Sequence, residues 1–484
     1  MWDSVGTRNR NKSRAGGNTV RGTAVARGRS LRAGAVRRAG TISLQLLVIL
    51  VPVFFGMMGF ALDLGRLYLI RGELNQTTNA MALAAAAQLI GTSASLDNAT
   101  TAANLTLDDS SGHADKYNFG SLVLGQSTGL LSSAIADPVY FATAAAATGA
   151  DTSGSDQADG TTARHVQINA TADAPLLFWS FLSVGQSRTT TIAAQSVAGI
   201  SSPLCTACSI QPLAVAALDS TDTTDFGFLA ATQYTLAFQC LASTTPAPPG
   251  GGPPGGTTTT GPTAFSGTAQ VVQYGLIDRD KVSTLDGTQN LYAIGADGLI
   301  PSSTDVTQAC LSIGEPYTLW QDPDTQAYLA AQSCTNILPP AGVVEWLCGL
   351  DTRLDSSIPD VCTTNVTDAE TLFTAYTPDT DVASYDDYTE YTGNTRRVIT
   401  VAVVDTLATT STATMTVLGF RQFLIEPNAD GIVPVSDQWG RFAALYIGSI
   451  VPVRQGWIGN RADVNPSLAC TSITSGPGKV VLHQ

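Results

Sequence analysis

The sequence predicts an α+β protein in which a long N-terminal transmembrane helix continues into a helix packed on a small antiparallel sheet, followed by a β-rich domain. Three observations predict this class. Residues 41–62 form an uncharged, largely apolar run of 22 residues. A stripe of apolar side chains at helical spacing follows it directly. The segments with strand-like alternation all come after that stripe.

Charge is distributed unevenly along the chain of 484 residues. The net charge is −14, but residues 1–40 hold ten basic residues against one acid, so they carry +9 and the remaining 444 residues carry −23. The basic residues of this tail are Arg8, Arg10, Lys12, Arg14, Arg21, Arg27, Arg29, Arg32, Arg37 and Arg38. A nucleic-acid-binding arm is an alternative, but Trp2 alone offers little for base stacking. Because an apolar span follows, we predict a basic cytoplasmic tail and no nucleic-acid partner.

The run at 41–62 is long enough to cross a bilayer. At a rise of about 1.5 Å per residue, a helix of this length matches a hydrocarbon core of about 30 Å. Pro52 lies inside the run, and spanning helices tolerate such residues. The arginine pair at 37–38 precedes the run and Asp63 follows it. This bias predicts a cytoplasmic N-terminus, with the bulk of the chain on the outer side of the membrane.

A cleaved secretory signal is the alternative interpretation of the same segment. The apolar region of such signals usually spans about 7–15 residues and ends at a site with small residues. The run here is longer, and Asp63–Arg66 follows it before any Ala-rich sequence. We therefore predict a retained anchor, and a mature N-terminus near Ala84 would indicate cleavage instead.

A second helical signal runs from Leu67 to Leu89. Its apolar or small residues alternate steps of three and four, which draws one stripe along a helix. They are Leu67, Ile70, Leu74, Thr77, Met81 and Ala84. Gly91 supplies a stop, so the whole helix at 41–90 is expected to be about 75 Å long. The stripe predicts packing on the protein's own sheet, with a short coiled-coil seam for a partner as the alternative.

Strand signals begin after an irregular stretch at 91–163, in which Val139–Thr143 is a possible short strand. Arg164–Ala172 and Thr189–Val197 alternate apolar and polar side chains, which is the period of a half-buried strand. Pro175–Leu182 between them is a bulky apolar block. Together with the long helix, these runs predict a helix-and-sheet module over residues 63–200.

The remaining residues, 201–484, predict a β-rich domain that contains all the cysteines. Its Pro/Gly-rich stretch at 244–263 is typical of a long exposed loop. The predicted strands are Ala269–Leu276, Tyr292–Ile294, Arg397–Val404, Ala413–Gly419 and Phe420–Ile425, with a hairpin loop at Asp405–Ser411 and short helices at Ala327–Gln332 and Val343–Leu350.

The N-terminal residues resemble a known family. Gly40–Pro52, the exit segment Gly59–Tyr68 and the helix Arg71–Ala85 are similar to the N-terminal segment of TadE/TadG-like proteins of tight-adherence (Flp) pilus assembly. Residues 164–198 and Arg396–Pro427 are similar more weakly. The resemblance implies a bacterial inner-membrane protein with a pilin-like module at 63–200, an extracytoplasmic β-rich domain and other pilus-assembly proteins or pilin-like subunits as partners. Within the motif, Asn75 and Asn79 replace the usual Gln and Asp.

One departure from the family pattern separates two roles. Pseudopilins of this system are cut after a Gly, and the fifth residue of the mature chain is a Glu. Gly40 stands at the corresponding place, but the fifth residue after it is Gln45. A carboxylate buried in lipid is costly and is retained for a purpose, and Gln lacks that charge. The resemblance therefore favours an uncut, membrane-anchored structural component over a processed, pilin-like minor subunit of the filament.

Eight cysteines all follow the predicted span: Cys205, Cys208, Cys240, Cys310, Cys334, Cys348, Cys362 and Cys470. An even number of cysteines on the oxidising side of a membrane predicts disulfides. The Cys205-x-x-Cys208 pair alone is also typical of zinc or redox sites, but neither a second such pair nor nearby histidines accompany it. Sequence does not define the connectivity, and our working hypothesis pairs Cys310 with Cys334 and Cys348 with Cys362.

One short motif suggests a metal site. Asp151, Ser153 and Ser155 fit the Asp-x-Ser-x-Ser pattern of metal-dependent adhesion sites, which occurs in some relatives of the resembled family. A surface adhesin that binds calcium or magnesium there is a third hypothesis. The motif needs a buried apolar strand before the Asp, and the small residues at 144–150 do not supply one, so we predict no metal. The acid-rich stretches Asp219–Asp225 and Asp379–Glu390 are expected to be solvated.

Enzymatic function finds little support in the sequence. It contains no phosphate-binding loop and no His-Glu-x-x-His zinc motif. Its three histidines are scattered, and no spacing joins them to a nucleophile. We therefore predict a non-enzymatic protein without a cofactor or small-molecule substrate, which acts in pilus assembly or surface adhesion.

Overall fold

A computed structural model describes the chain in a set of separate ranges. The described residues are 39–106, 132–149, 157–176, 189–240, 262–277, 289–298, 310–317, 334, 338–407, 414–427, 434–458, 470 and 475–483. The chain forms two compact units, Met1–Leu62 and Asp63–Gln484. The architecture is mixed α+β, with one long apolar N-terminal helix and a β-rich remainder, as predicted.

Helix α1 (Ala39–Ala86) is a continuous helix of 48 residues with Pro52 inside it. Within the first unit its large apolar side chains are exposed, for example Leu44 at 66% and Phe55 at 64%. By length and composition it can cross a membrane. Its last residue is Ala86, four residues before the predicted end, because turns follow at 87–88.

The C-terminal half of α1 packs on the chain's own sheet. Leu74 and Met81 are fully buried, as is most of the predicted stripe, while Leu67 and Ala84 are half-buried. Met81 belongs to a cluster that includes Ile168 and Ala198 of the sheet. This arrangement confirms the interpretation of the stripe as intramolecular packing.

That sheet has five strands in the described residues. They are β1 (Ser132–Ile135), β2 (Val139–Phe141), β3 (His165–Pro175), β4 (Thr189–Ile200) and β15 (Val480–His483). β3 and β4 pair antiparallel along their length, with Ile168 opposite Ser196. β1 and β2 pair with different parts of β3. β15 pairs with β4, so residues from both ends of the Asp63–Gln484 unit share one sheet.

Two helices flank this module. Helix α3 (Ala144–Thr148) begins at Thr143, whose side chain accepts a hydrogen bond from the Ala146 N–H. Helix α2 (Ser95–Leu105) corrects the prediction that 91–163 is irregular. Its Ala99 and Ala103 are fully buried in the cluster around α1. Small side chains give a weak periodic signal, so contacts with the rest of the module determine this helix.

The larger part of the second unit is built on a closed six-stranded barrel. Its strands are β6 (Leu213–Ala216), β7 (Thr232–Phe238), β8 (Val271–Leu276), β11 (Val398–Val404), β12 (Met415–Ile425) and β13 (Phe442–Gly448). The order is β12-β11-β6-β8-β7-β13, and pairing of β13 with β12 closes the ring. Closure leaves none of these six strands as a free edge. A short strand, β10 (Pro316–Tyr317), adds to β12.

Helices and a small sheet surround the barrel. The helices are α4 (Gln289–Asp297), α5 (Ala341–Asp351), α6 (Asp360–Asn365) and α7 (Ala369–Ala375), and the three-stranded sheet contains β5 (Thr206–Cys208), β9 (Cys310–Ser312) and β14 (Gln455–Trp457). Helix α5 is almost completely buried, and most of its central residues are apolar, with Glu345 as the exception. Its Trp346 lies within ring contact of Tyr274 and Phe442 of the barrel. The helices therefore add their buried apolar side chains to the hydrophobic core of the barrel.

Two sequence-based elements are wrong in detail. The predicted strand at Tyr292–Ile294 lies inside helix α4. The predicted break at Gly419 is absent, because β12 runs without interruption through it. A side chain there would meet the ring of Phe226 at 2.8 Å, so Gly419 makes room for a neighbour and does not end a strand.

The other strand predictions at 139–143, 164–172, 189–197, 269–276 and 397–404 are confirmed, as is the helix at 343–350. Several predicted features lie outside the described residues. These are the tail at 1–38, the apolar block beyond residue 176, most of the Pro/Gly-rich loop, the helix at 327–332 and the hairpin loop beyond residue 407.

Helices α4 and α5 pack so closely that we predict their contact glycines cannot be replaced by residues with a side chain. A Cβ at Gly349 would overlap the backbone of Tyr292. We expect Gly349→Ala to lower the free energy of unfolding by about 1–3 kcal/mol or more, since overpacking displaces the helices. Gly72→Ala is the matched control, because nothing lies within 4 Å of that added Cβ. The control should gain about 0.5–1 kcal/mol from helix propensity. Denaturant unfolding followed by Trp fluorescence measures both, and equal effects would contradict the packing argument.

Candidate functional site

The apolar half of α1 exposes a long run of large apolar side chains. Between Leu44 and Leu62, every large apolar side chain but Leu50 and Val51 is more than half exposed, and those two are exposed at 42% and 40%. A soluble protein rarely exposes so much contiguous apolar surface. Burial of this surface in lipid removes it from water, so the segment is suited to act as a membrane anchor.

Hydrogen bonds add to the packing where α1 meets its sheet. The hydroxyls of Thr78 and Ser196 are 2.6 Å apart, and Ser196 also donates to Asn79 Oδ1 at 2.7 Å. Asn79 is one of the two departures from the resembled motif, and here it fixes the helix to strand β4. Both apolar burial and a polar network therefore attach the C-terminal half of α1 to the sheet.

Residues 379–397 form a folded connector, in which Asp386, Asp387 and Glu390 of the predicted solvated stretch Asp379–Glu390 are exposed but Asp379 is not. Asp379 is only 6% exposed. Its carboxylate accepts hydrogen bonds from the Tyr391 hydroxyl at 2.5 Å and from the Arg397 N–H at 2.9 Å. In the other acidic stretch, Asp219–Asp225, Asp219 lies at the surface. Its carboxylate accepts a hydrogen bond from the Thr221 N–H and so caps a turn.

This connector joins the helix-and-sheet module to the barrel. Ile90, just after α1, is buried in a cluster with Tyr391 and with Leu445 of β13. The Ser93 N–H donates to the Thr389 carbonyl at 2.9 Å. Gly91 adopts φ of +84° there, which a residue with a side chain rarely does.

A buried ion pair supports the connector from the barrel side. Arg397 lies 3.6 Å from Glu426, and both side chains are essentially inaccessible. The Arg397 guanidinium also donates to the carbonyls of Asp381 at 3.1 Å and Ala383 at 2.7 Å. Burial raises the pKa of Glu426 to about 7, and the nearby Arg397 opposes that rise. Removing a charged pair from water costs free energy. This cost is offset only when each charge has its ion-pair and hydrogen-bond partners in position.

All eight cysteines lie in the described residues and are paired. The pairs are Cys205–Cys470, Cys208–Cys310, Cys240–Cys334 and Cys348–Cys362. The predicted Cys348–Cys362 pair is confirmed, and the predicted Cys310–Cys334 pair is wrong. Strands β5 and β9 place Cys208 directly opposite Cys310, a register that sequence spacing does not reveal. Because Cys205 and Cys208 have different partners, they do not form a zinc or redox pair.

The predicted metal motif at Asp151, Ser153 and Ser155 lies outside the described residues. Within the part of the chain that is described, no cluster of three or more His, Cys, Asp or Glu side chains is arranged to hold a metal ion.

A polar cavity of about 160 Å³ lies beside the connector. Its charged lining residues are Arg353, Arg396 and Arg454, with Asp297 as the one acid among the described lining residues. Arg353 is buried, and its guanidinium donates to the Gly295 carbonyl at 3.1 Å. Burial and then the neighbouring Arg396 lower the pKa of Arg353 to about 9. Sequence analysis missed this site, because its residues come from distant segments and form no motif.

A comparison of the chain with protein-family models, curated proteins and solved structures finds no match. The functional argument therefore stands on the sequence, the fold and the geometry described above.

Proposed function

We propose that the protein is a membrane-anchored structural component of a tight-adherence type pilus-assembly apparatus, or of a related surface-adhesion system, and not an enzyme. The observation that carries the proposal is the continuity of α1 (Ala39–Ala86). Its first half exposes large apolar side chains, and one face of its second half is buried on the chain's own sheet. A single helix thereby connects the proposed membrane span to the folded domain.

The disulfides support placing the folded domain outside the cytoplasm, since disulfides persist in oxidising compartments. The basic tail before the span favours a cytoplasmic N-terminus in a bacterial inner membrane. The similarity of Gly40–Pro52 and Gly59–Tyr68 to TadE/TadG-like proteins favours the pilus-assembly role, with other components of that apparatus as partners. Within this proposal, residues 63–200 with β15 form a pilin-like module that docks to those partners.

A processed, pilin-like filament subunit is the second candidate. A long N-terminal helix that lies on an antiparallel sheet favours it, as does Gly40 at the position of a processing site. Gln45 argues against it, because it lacks the carboxylate of processed subunits. Sequencing of the mature N-terminus separates the two candidates: Thr41 selects the filament subunit, and an uncut chain selects the anchor.

The proposed function predicts that deletion of the gene abolishes surface piliation. We expect piliation and adhesion to return when the full chain is supplied in trans. A variant with Gln45→Glu is the informative companion, since it restores the usual carboxylate and tests whether processing begins. Electron microscopy of filaments and an adhesion assay measure the outcome, and protease treatment of intact and opened cells measures the topology. Unchanged piliation and adhesion in the deletion strain would refute the proposal.

A further inference from the structure

The polar cavity beside the connector carries an inference that is independent of the pilus-assembly role. Three arginines line it in a chain whose residues after the tail carry −23. Arg353 follows α5, Arg396 precedes β11, and Arg454 precedes β14. The fold therefore gathers positive charge from three distant segments into one place, against the overall charge of the chain.

The cavity also contains polar atoms that lack partners among the described residues. Gln211 is 3% exposed and lines the cavity, and its Oε1 atom accepts no hydrogen bond within the described part of the chain. Nε of Arg396 is likewise buried and donates to nothing described. A buried polar atom left without a partner is destabilising, because it has lost its hydrogen bonds to water. A ligand that supplied an acceptor to Arg396 and a donor to Gln211 would remove both penalties.

By contrast, the neighbouring Gln422 is fully used within the fold. Its amide nitrogen donates to the Val451 carbonyl at 2.6 Å, and its Oε1 accepts from the Val451 N–H at 2.8 Å. Gln422 therefore forms a fixed wall of the cavity, whereas Oε1 of Gln211 and Nε of Arg396 have no hydrogen-bond partner among the described residues. Ile210 and Val453 add small apolar surfaces to the lining.

The complementary ligand has a defined chemistry. Guanidinium groups bind carboxylates through paired, charge-assisted hydrogen bonds. Oε1 of Gln211 requires a donor, which a hydroxyl group provides, and the exposed Asp297 carboxylate can accept a hydrogen bond from a second hydroxyl. The cavity volume of about 160 Å³ suits a small ligand such as one sugar ring. A doubly charged phosphate would also face repulsion from Asp297, which the single charge of a carboxylate lessens.

We propose that this cavity binds a carboxylated sugar, such as a uronic acid unit of an acidic polysaccharide. The carboxylate lies against Arg396 and Arg454, and ring hydroxyls donate to Gln211 and Asp297. Arg353, which is held by backbone carbonyls, acts as a positioning residue for the cavity wall.

Titration of the full-length protein in detergent with sodium glucuronate tests the proposal by calorimetry and by thermal unfolding. We expect glucuronate to bind and to raise the unfolding temperature, since a ligand of the native state stabilises it. Glucose, acetate and inorganic phosphate should each bind at least about tenfold more weakly than glucuronate. Glucose lacks the carboxylate, acetate lacks the hydroxyl groups, and phosphate carries more negative charge.

Two variants locate the site. Arg454→Gln changes an exposed residue, so the fold is expected to persist, and Gln211→Leu removes the buried acceptor. Each should weaken glucuronate binding about tenfold, the magnitude of one hydrogen bond in a charged network. Arg71→Gln removes an exposed charge outside the cavity and should leave binding unchanged. Absence of glucuronate binding, equal binding of acetate or phosphate, or binding unaffected by Arg454→Gln would each overturn the proposal.

Discussion

Replacing Leu50 and Phe54 together by lysine is expected to release the protein from the membrane. Both side chains are exposed near the middle of the apolar run, at 42% and 62%. A lysine at the centre of a spanning helix costs about 3 kcal/mol, so the pair costs about 6 kcal/mol. That loss removes most of the preference of a single helix for the bilayer. We therefore expect the double variant to leave the membrane fraction after an alkaline wash.

The cysteines provide a second readout of the same experiment. A chain that fails to insert stays in the cytoplasm, where thiols are kept reduced. We expect all eight cysteines of the double variant to react with an alkylating reagent, in contrast to the parent chain. The matched control carries Leu229→Lys and Val382→Lys, which place the same charges at exposed sites of the folded unit. Retention of the span variant in the membrane with oxidised cysteines would contradict the anchor.

Removal of the Cys208–Cys310 disulfide is expected to destabilise the folded unit more than removal of the Cys348–Cys362 disulfide. This bond closes a loop of 102 residues, whereas Cys348–Cys362 closes one of 14. In the chain-entropy account, a loop of about 100 residues contributes about 4.7 kcal/mol and one of about 15 residues about 3 kcal/mol. The paired Cys→Ala variants should therefore differ by about 2 kcal/mol in the free energy of unfolding.

The two disulfides form a matched comparison because all four cysteines are buried, with exposed fractions of at most 6%. Each double variant loses similar packing, so the difference between them isolates loop length. Denaturant unfolding under oxidising conditions measures the two free energies. Equal losses, or a larger loss for Cys348 and Cys362, would show that strain or residual structure in the unfolded chain outweighs loop entropy.

Much of the helix-and-sheet module could be predicted from sequence. Strand β4 was placed at its first residue, Thr189, because alternation of side chains is a local signal. The stripe that includes Leu74 and Met81 likewise predicted the buried face of α1. Strand β15 was missed, since four residues with little alternation gain their structure only by pairing with β4.

Gly419 and Tyr292 show why other predictions were wrong. Gly is normally a signal for a turn or a strand end, but at position 419 it accommodates the ring of Phe226. Tyr292 is a strand-favouring residue that lies in a helix, because close contact of α4 with α5 overrides its intrinsic preference. In both cases the deciding neighbour is distant in the chain.

The candidate sites can likewise be divided into one that the sequence predicts and others that only the tertiary structure reveals. The candidate membrane span is a continuous run of apolar residues, so its length and charge bias follow from the chain alone. The arginine cavity and the connector around Asp379 depend on residues brought together from many segments, and no motif marks them.

The sequence by itself determined that one helix can lodge in a bilayer, that its continuation has a buried face and that the cysteines form disulfides. Only the tertiary structure decided that β12 and β13 close a barrel, that Cys208 bonds to Cys310 and that three arginines share a cavity. The physical reason is the separation along the chain between the residues that decide each feature. Hydrophobic periodicity and span length are properties of neighbouring residues, whereas strand pairing, disulfide partners and cavities are set by contacts between residues far apart in the chain.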